Sequence, residues 1–417
     1  MDARNIAAWV GIDWADQKHA VCLEARGARR NEFREVEQSP EALAAWVAGL
    51  RERFGGKAIA VCLEQSRGAL IYALMKYDFL ALYPINPKQL ARYREALHPS
   101  GAKDDPSDAQ LLMQFVRDYP DKLRRWQPDD EQTRRIGLLA ESRRRLVDER
   151  TRLGNWLESQ LKQYLPLALE LVVGHLHAEW FLKLLAKWPT LKALKRAAPN
   201  ALARLLPGGK DRVQQRVRQI REAQPLVTDA ALVDAGALLV QSLVPPLQSL
   251  NRAIAEYDRQ LALAIQDHPD GPLFTSLPGA GPALAPRLLV AFGSDRSRHA
   301  SATELQRYSG IAPVTKRSGK AMSIQRRRAC PKFLRQTFHE FADHSRKSCR
   351  WAMAYYRLQH EHRGKGHHAS LRALAFKWIR VLFQCWQRRL PFNEDQYLAR
   401  LRRKNSPLLV YLPTQNA

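Results

Sequence analysis

The chain has 417 residues, enough for two or three domains at about 150 residues each. Lys and Arg outnumber Asp and Glu by 67 to 41, a formal charge of +26, and an excess that large calls for a polyanionic partner such as DNA or RNA. A hydrophobic content of 45% argues against wholesale disorder; no run of about 20 apolar residues marks a membrane span, and the start MDARNIAAWVGID lacks the pattern of a secretory signal, so no membrane partner is expected. Cys22, Cys62, Cys330, Cys349 and Cys385 are scattered, with no CxxC or Cys/His zinc pattern, and His367-His368 reads as surface. A reducing cytoplasm fits this usage.

Residues 1–128 read as a mixed α/β domain. Apolar or alternating runs at 8–12, 19–24, 58–63 and 80–85 predict strands, with helices between them, for example over 40–54 and 109–116. Residues 129–267 change character. Leu139, Leu146 and Leu153 are seven apart, and Leu157, Leu161 and Tyr164 continue one face. Leu247, Leu250, Ile254, Tyr257, Leu261 and Ile265 step by three and four. Both patterns predict long amphipathic helices, read as a coiled-coil hairpin, and Arg143 and Arg150 interrupt the first seam as if it crossed something acidic. His268-Pro269-Asp270-Gly271 breaks the pattern and opens a mainly helical third region, 268–400. Leu277-Pro278-Gly279-Ala280-Gly281 reads either as a phosphate-contacting element between helices or as an ordinary turn. Residues 401–417 read as a loose tail.

Four carboxylates stand out by position. Asp13 and Glu64 each follow a predicted strand, while Asp105 and Asp108 share one face at the start of the next helix. If the two strands are neighbours, all four meet at one end of the sheet, where hard oxygens suit Mg²⁺. Two such ions can clamp the attacking and leaving oxygens of phosphoryl transfer. The competing reading makes Asp105 a helix N-cap before Pro106, with Asp108 in the first turn. Asp104 also competes with Asp105, being four residues from Asp108.

The segment 305–339 contains no Asp or Glu. Its cations include Lys316, Arg317, Lys320, Arg326, Arg327 and Arg328, and Ser318-Gly319 lies among them. A serine hydroxyl can attack a phosphodiester where nearby cations stabilise the developing charge. The bland alternative is a phosphate-binding loop, with Ser309 and Ser323 equally available. Trp351, Tyr355, Tyr356, Trp378 and Trp386 read mostly as helix core rather than base-stacking platforms.

Taken in order, Val10-Gly11-Ile12-Asp13, Leu63-Glu64-Gln65-Ser66, Ile85-Asn86-Pro87, Lys103-Asp104-Asp105-Pro106-Ser107-Asp108-Ala109, Leu277-Pro278-Gly279-Ala280-Gly281, Tyr308-Ser309-Gly310-Ile311-Ala312-Pro313 and Ser318-Gly319 resemble the insertion-sequence transposases of family 110, the bridge-RNA-guided recombinases. The resemblance implies a RuvC-like, ribonuclease-H-type N-terminal domain, a coiled-coil region that assembles dimers to tetramers, and a C-terminal serine transposase domain. Its Asp-Glu-Asp-Asp set falls on Asp13, Glu64, Asp105 and Asp108, which favours Asp105 over Asp104. Its nucleophilic serine falls on Ser318. It also implies a structured noncoding guide RNA, donor and target DNA, Mg²⁺, and a bacterial, nucleoid-associated location. The expected activity is excision and insertion of an element through a phosphoserine intermediate. The rivals are a metal-dependent nuclease or Holliday-junction resolvase, and a non-enzymatic nucleic-acid scaffold.

Overall fold

The computed structural model describes residues 5–64, 68–97, 104–319 and 321–413. The chain divides into two compact units, 1–128 and 129–417.

The first unit is built on a five-stranded sheet of β1 (Ala8–Asp13), β2 (Lys18–Ala25), β3 (Glu32–Glu37), β4 (Ile59–Leu63) and β5 (Leu80–Pro84). The strand order is β3-β2-β1-β4-β5. β2 runs antiparallel to β1 and β3, whereas β1, β4 and β5 are parallel. Every residue of β4 is buried, which is why it reads as an unbroken apolar run: a parallel strand here is covered on both faces. β3 buries only Val36, so this edge strand carries no apolar run to betray it.

Four helices cover the sheet: α1 (Pro40–Arg53), α2 (Ala69–Leu74), α3 (Pro87–Leu97) and α4 (Asp105–Asp118). Trp46, Val47 and Leu50 of α1 and Leu70, Ile71 and Leu74 of α2 pack with Val10, Ile12, Val61 and Leu63. Leu90 of α3 and Leu111, Leu112 and Phe115 of α4 pack with Ala60 and Cys62. Alternation along the strands thus sends neighbouring residues into two separate cores.

The second unit starts with α5 (Glu131–Tyr164). Short helices α6 (Pro166–Val172), α7 (Glu179–Lys187), α8 (Leu191–Arg196), α9 (Pro199–Leu205) and α10 (Lys210–Glu222) follow, before α11 (Ala230–Gln266) returns along α5. The two long helices are antiparallel. Thr133 meets His268, Arg143 meets Asp258 and Arg150 meets Asn251 in reverse order. Arg143 donates twice to the Asp258 carboxylate, at 2.5 and 3.1 Å, and Arg150 donates to Asn251 at 3.2 Å. Asp258 is the acidic partner expected at Arg143, whereas Arg150 meets a neutral amide. By length and composition α11 could cross a bilayer, which a search for unbroken apolar runs overlooks. Its Val240, Leu243, Val244 and Leu247 instead pack with Leu157, Leu161 and the short helices.

The remaining elements are α12 (Gly271–Thr275), α13 (Gly281–Phe292), α14 (Ala302–Tyr308), β6 (Val314–Ser318), β7 (Ala321–Gln325), α15 (Lys332–Ser348), α16 (Arg350–Arg357), α17 (His367–Arg388) and α18 (Glu394–Arg403). Trp351, Trp378 and Trp386 are fully buried in their core, Tyr356 is buried there, and Tyr355 packs against it. Ile136 and Ala140 of α5 and Leu261 and Ile265 of α11 belong to the same core, so packing continues across the 268–271 breaker. The segment after 400 is less loose than its composition suggests: α18 runs to Arg403, and Leu408 is buried in a short turn of helix.

His268 sits at the base of the hairpin. Its Nδ1 accepts the Asp270 N–H at 3.0 Å and its Nε2 lies 2.9 Å from the Thr133 hydroxyl. Burial pushes its pKa below the ordinary 6.5, against the pull of Asp130 and Asp270. Burial likewise lowers His19, His177 and His339. A depressed folded-state pKa gives stability that is present above the unfolded value and lost as pH falls through the folded one. Thermal melts should therefore show Tm dropping as pH is lowered below about 6.5, the unperturbed histidine value. An unchanged Tm between pH 7 and 5 would contradict the assignment of these imidazoles as neutral.

Candidate active site

Asp13 is the last residue of β1, and Glu64 follows the last residue of β4. The strands are parallel and Ile12 pairs with Leu63, so the next residue of each leaves the same edge of the sheet. Both side chains are half-buried. α4 lies directly against β1 because residue 11 is glycine. A Cβ there would come within 1.9 Å of the Ala109 carbonyl oxygen and 2.4 Å of the Met113 nitrogen. Those are backbone atoms and cannot swing aside. The missing side chain therefore lets the first turn of α4, with Asp105 and Asp108, approach the carboxyl end of β1.

Gly11→Ala is expected to push α4 off the sheet and cost about 1–3 kcal/mol or more. The check is denaturant unfolding. Unaltered stability would mean that the close approach of α4 does not depend on a glycine at this position.

The start of α4 separates two aspartates that spacing leaves ambiguous. Asp104 is the N-cap, accepting the Ser107 N–H at 2.8 Å, and the Ser107 side chain closes a capping box. Those hydrogen bonds hold the Asp104 carboxylate below its usual pKa. Asp105 is thus the first helical residue rather than the cap, and it is exposed. The capping alternative for Asp105 is corrected by one position, which leaves its carboxylate outside the cap hydrogen bonds, contributing only the charge of an acid in the first turn.

Asp108 is buried, its side chain only 3% exposed. Arg94 of α3 donates to Asp108 Oδ1 through both Nε, at 2.8 Å, and Nη2. No pattern in the sequence announces Arg94, because it reaches Asp108 from fourteen residues away. Among the described residues, no three His, Cys, Asp or Glu side chains are gathered around a point that could hold a metal. The elements place the carboxylates at one edge of the sheet, while their side chains do not form a ready coordination shell. The donor chemistry, all hard carboxylate oxygens, still suits a divalent cation. Asp108 already holds a cation, the Arg94 guanidinium.

Ser318 ends β6. It pairs with Ala321, so the chain reverses between β6 and β7 just after Ser318. Gly319 has φ +54°, the left-handed backbone that such hairpin turns favour. Lys320 lies outside the described residues, as do Gln65, Ser66 and Lys103. The expected basic loop is therefore a two-stranded ribbon whose residues 315–319 and 321–325 are all exposed. Lys316 and Ser318 share one face with Ala321 and Ser323, while Arg317 pairs with Met322 on the other. Arg326 and Arg328 follow as exposed cations, with Arg327 half-buried between them. From residue 305 to 338 there is no Asp, Glu or His, so the ribbon offers Ser318 no proton acceptor of its own.

The Leu277–Gly281 turn has a packing reason for one of its glycines. A Cβ on Gly279, whose φ is +78°, would meet the His344–Ser345 backbone at 2.8 Å. The glycine serves close packing against α15. Ser309 is fully buried, which removes it as a rival to Ser318, whereas Ser323 is exposed beside it.

Two family models match the chain. Residues 10–166, which span all four acids, match the DEDD-type model of IS110 transposases. Residues 271–357, which contain Ser318, match a transposase model of the IS116/IS110/IS902 family. The chain is 29% identical over 415 residues to the mini-circle putative transposase for IS117 of Streptomyces coelicolor, covering 95% of this chain and 98% of that protein. It is 28% identical to an uncharacterized 43.6 kDa protein of insertion element IS110 from the same organism, covering 92% and 94% respectively. A putative transposase of Sinorhizobium fredii is 32% identical over 204 residues, 48% of this chain and 55% of that protein. A mixed α/β DEDD domain followed by a mostly helical transposase region defines a DNA-recombining enzyme. The chain belongs to the IS110 family of transposases.

Proposed function

We propose that this transposase excises and inserts its element through a phosphoserine intermediate, with a RuvC-like carboxylate site assisting. The observation that carries this reading is the exposed Ser318 hydroxyl at the tip of a ribbon without negative charge. Lys316, Arg317, Lys320 and the arginines at 326–328 would grip the DNA backbone. The Ser318 oxygen loses its proton as it attacks a phosphorus, one bridging P–O bond breaks, and the leaving strand oxygen takes up a proton to become a free hydroxyl. One phosphodiester is exchanged for another, so rejoining reverses the step without an energy source. Asp13, Glu64, Asp105 and Asp108 would hold Mg²⁺, which when bound stabilises charge developing on the phosphate.

The strand order β3-β2-β1-β4-β5 supports the RuvC-like assignment. The formal charge of +26 supports donor DNA, target DNA and a structured guide RNA as partners, with base pairing choosing the target and a nucleoid location following. The α5–α11 hairpin is the surface we assign to assembly into dimers or tetramers. Residues 1–128, 129–267 and 268–400 would act as three functional regions.

One observation favours a rival, a metal-dependent nuclease or junction resolvase: the ribbon has no general base for Ser318. The deciding experiment isolates protein under denaturing conditions from cells carrying the gene with its native flanks. A DNA-linked band supports the serine route. Nicked DNA without a linked band overturns it in favour of the nuclease.

A further inference from the structure

Arg94 spends its guanidinium on a single oxygen. Both Nε and Nη2 point at Asp108 Oδ1, and the two side chains are 19% and 3% exposed. A buried carboxylate has to be neutralised, and here an arginine does it. The arginine is fixed in turn: on α3, Leu90 is buried and the Tyr93 ring packs edge-on against Phe115 of α4 at 4.7 Å. Asp108 stands in the turn of α4 held against β1 at Gly11. One of the two Asp108 oxygens is thus already occupied by a tethered cation, whose charge a divalent ion at this carboxylate would have to meet.

We infer that Arg94 is a working residue of the carboxylate site: it holds the place of the metal at Asp108, and on metal loading it is released to the phosphodiester. This rests on the reading of Asp108 as a metal donor. A +1 guanidinium and a divalent cation compete for one carboxylate, so apparent metal affinity equals the intrinsic affinity multiplied by the fraction of molecules with the pair open. A guanidinium freed from Asp108 would offer paired N–H donors, the chemistry that recognises phosphate oxygens.

The test titrates full-length wild type, Arg94→Gln and Asp108→Asn with Mn²⁺ and Mg²⁺, reading thermal stability and calorimetric binding. Arg94→Gln is expected to melt below wild type without metal and to bind metal roughly tenfold tighter. It should close the stability gap at saturating metal, yet bind a DNA duplex more weakly than wild type in that metal. Asp108→Asn should lose the metal response. Equal metal affinity in wild type and Arg94→Gln would overturn the role of Arg94 and leave the metal reading intact. No metal response in any of the three would overturn both. If Arg94→Gln does not fold even with metal, Arg94→Lys decides. Lys keeps the charge but lacks the paired donors, so it should also raise metal affinity, and wild-type affinity there would overturn the inference.

Discussion

Ser318→Ala is expected to abolish the DNA-linked form of the protein and to lower transposition by roughly 10³-fold or more, the scale of losing an attacking nucleophile. The fold should survive the change. Ser318 is exposed at the end of β6, its pairing with Ala321 uses backbone groups, and the turn depends on Gly319 rather than on the hydroxyl. Melting temperature and DNA affinity should therefore stay near wild type, because Lys316, Arg317, Arg326 and Arg328 remain to bind phosphates. That combination, full binding with no adduct, separates a nucleophile from a phosphate-binding serine. Ser323, exposed on the same face of the ribbon, is the internal control. Ser323→Ala should keep the adduct. If adduct formation moved with Ser323 instead, the nucleophile would be misassigned by one strand. If cleavage persisted undiminished in Ser318→Ala, the metal-dependent nuclease would replace the recombinase.

The legible part of this protein is what periodicity and strand ends encode. The central strands β1 and β4 show as apolar runs because both of their faces are covered, and the edge strand β5 shows because Leu80, Ala81 and Leu82 are buried. The two long helices show as stripes, and even the arginine interruptions at 143 and 150 forecast polar partners across the hairpin. β3 was illegible because an edge strand that buries one residue in six has no apolar signature. The β6–β7 ribbon has no strand signature for a similar reason. It is exposed on both faces, so nothing forces polar and apolar residues to alternate.

In the site, the acids were visible as ends of strands and the start of a helix. Whether Asp104 or Asp105 caps α4 depended on a backbone turn that spacing cannot distinguish. The Asp104–Ser107 reciprocity was the readable clue. Gly11 stood within a recognised motif, but its reason, a helix backbone pressing on the strand, is a contact between distant segments. Arg94 had no local signal at all.

Asp13→Asn is expected to reduce metal-supported DNA cleavage by at least about 10²–10³-fold, the usual cost of removing a group that stabilises charge in the transition state. The substitution keeps the shape of the side chain and removes one negative charge. Asp13 sits where β1 is hydrogen-bonded on both sides, Asp13 pairing with Ala20 and Ile12 with Leu63, so the backbone there has little freedom to adjust. A small loss would mean that the end of β1 does not face the reacting phosphate.

The comparison that gives this test its force lies at α4. Asp104→Asn retains an equally good N-cap and should leave cleavage unchanged. Asp105→Asn, one residue later, should impair cleavage while lowering stability by less than about 1 kcal/mol, because its carboxylate makes no cap hydrogen bond. Asp104 and Asp105 are adjacent, both exposed and both negative, so a general electrostatic effect would treat them alike. Loss at Asp105 with retention at Asp104 would place the site by geometry rather than by charge. Loss at both, or at Asp104 alone, would move the carboxylate site off the face shared by Asp105 and Asp108. Measured with the adduct assay, Asp13→Asn also shows how the two units divide the chemistry. If the adduct disappears with it, the carboxylates act in the serine step and supply the assistance that the ribbon lacks. If the adduct instead accumulates, they act afterwards, when the strands are exchanged and rejoined.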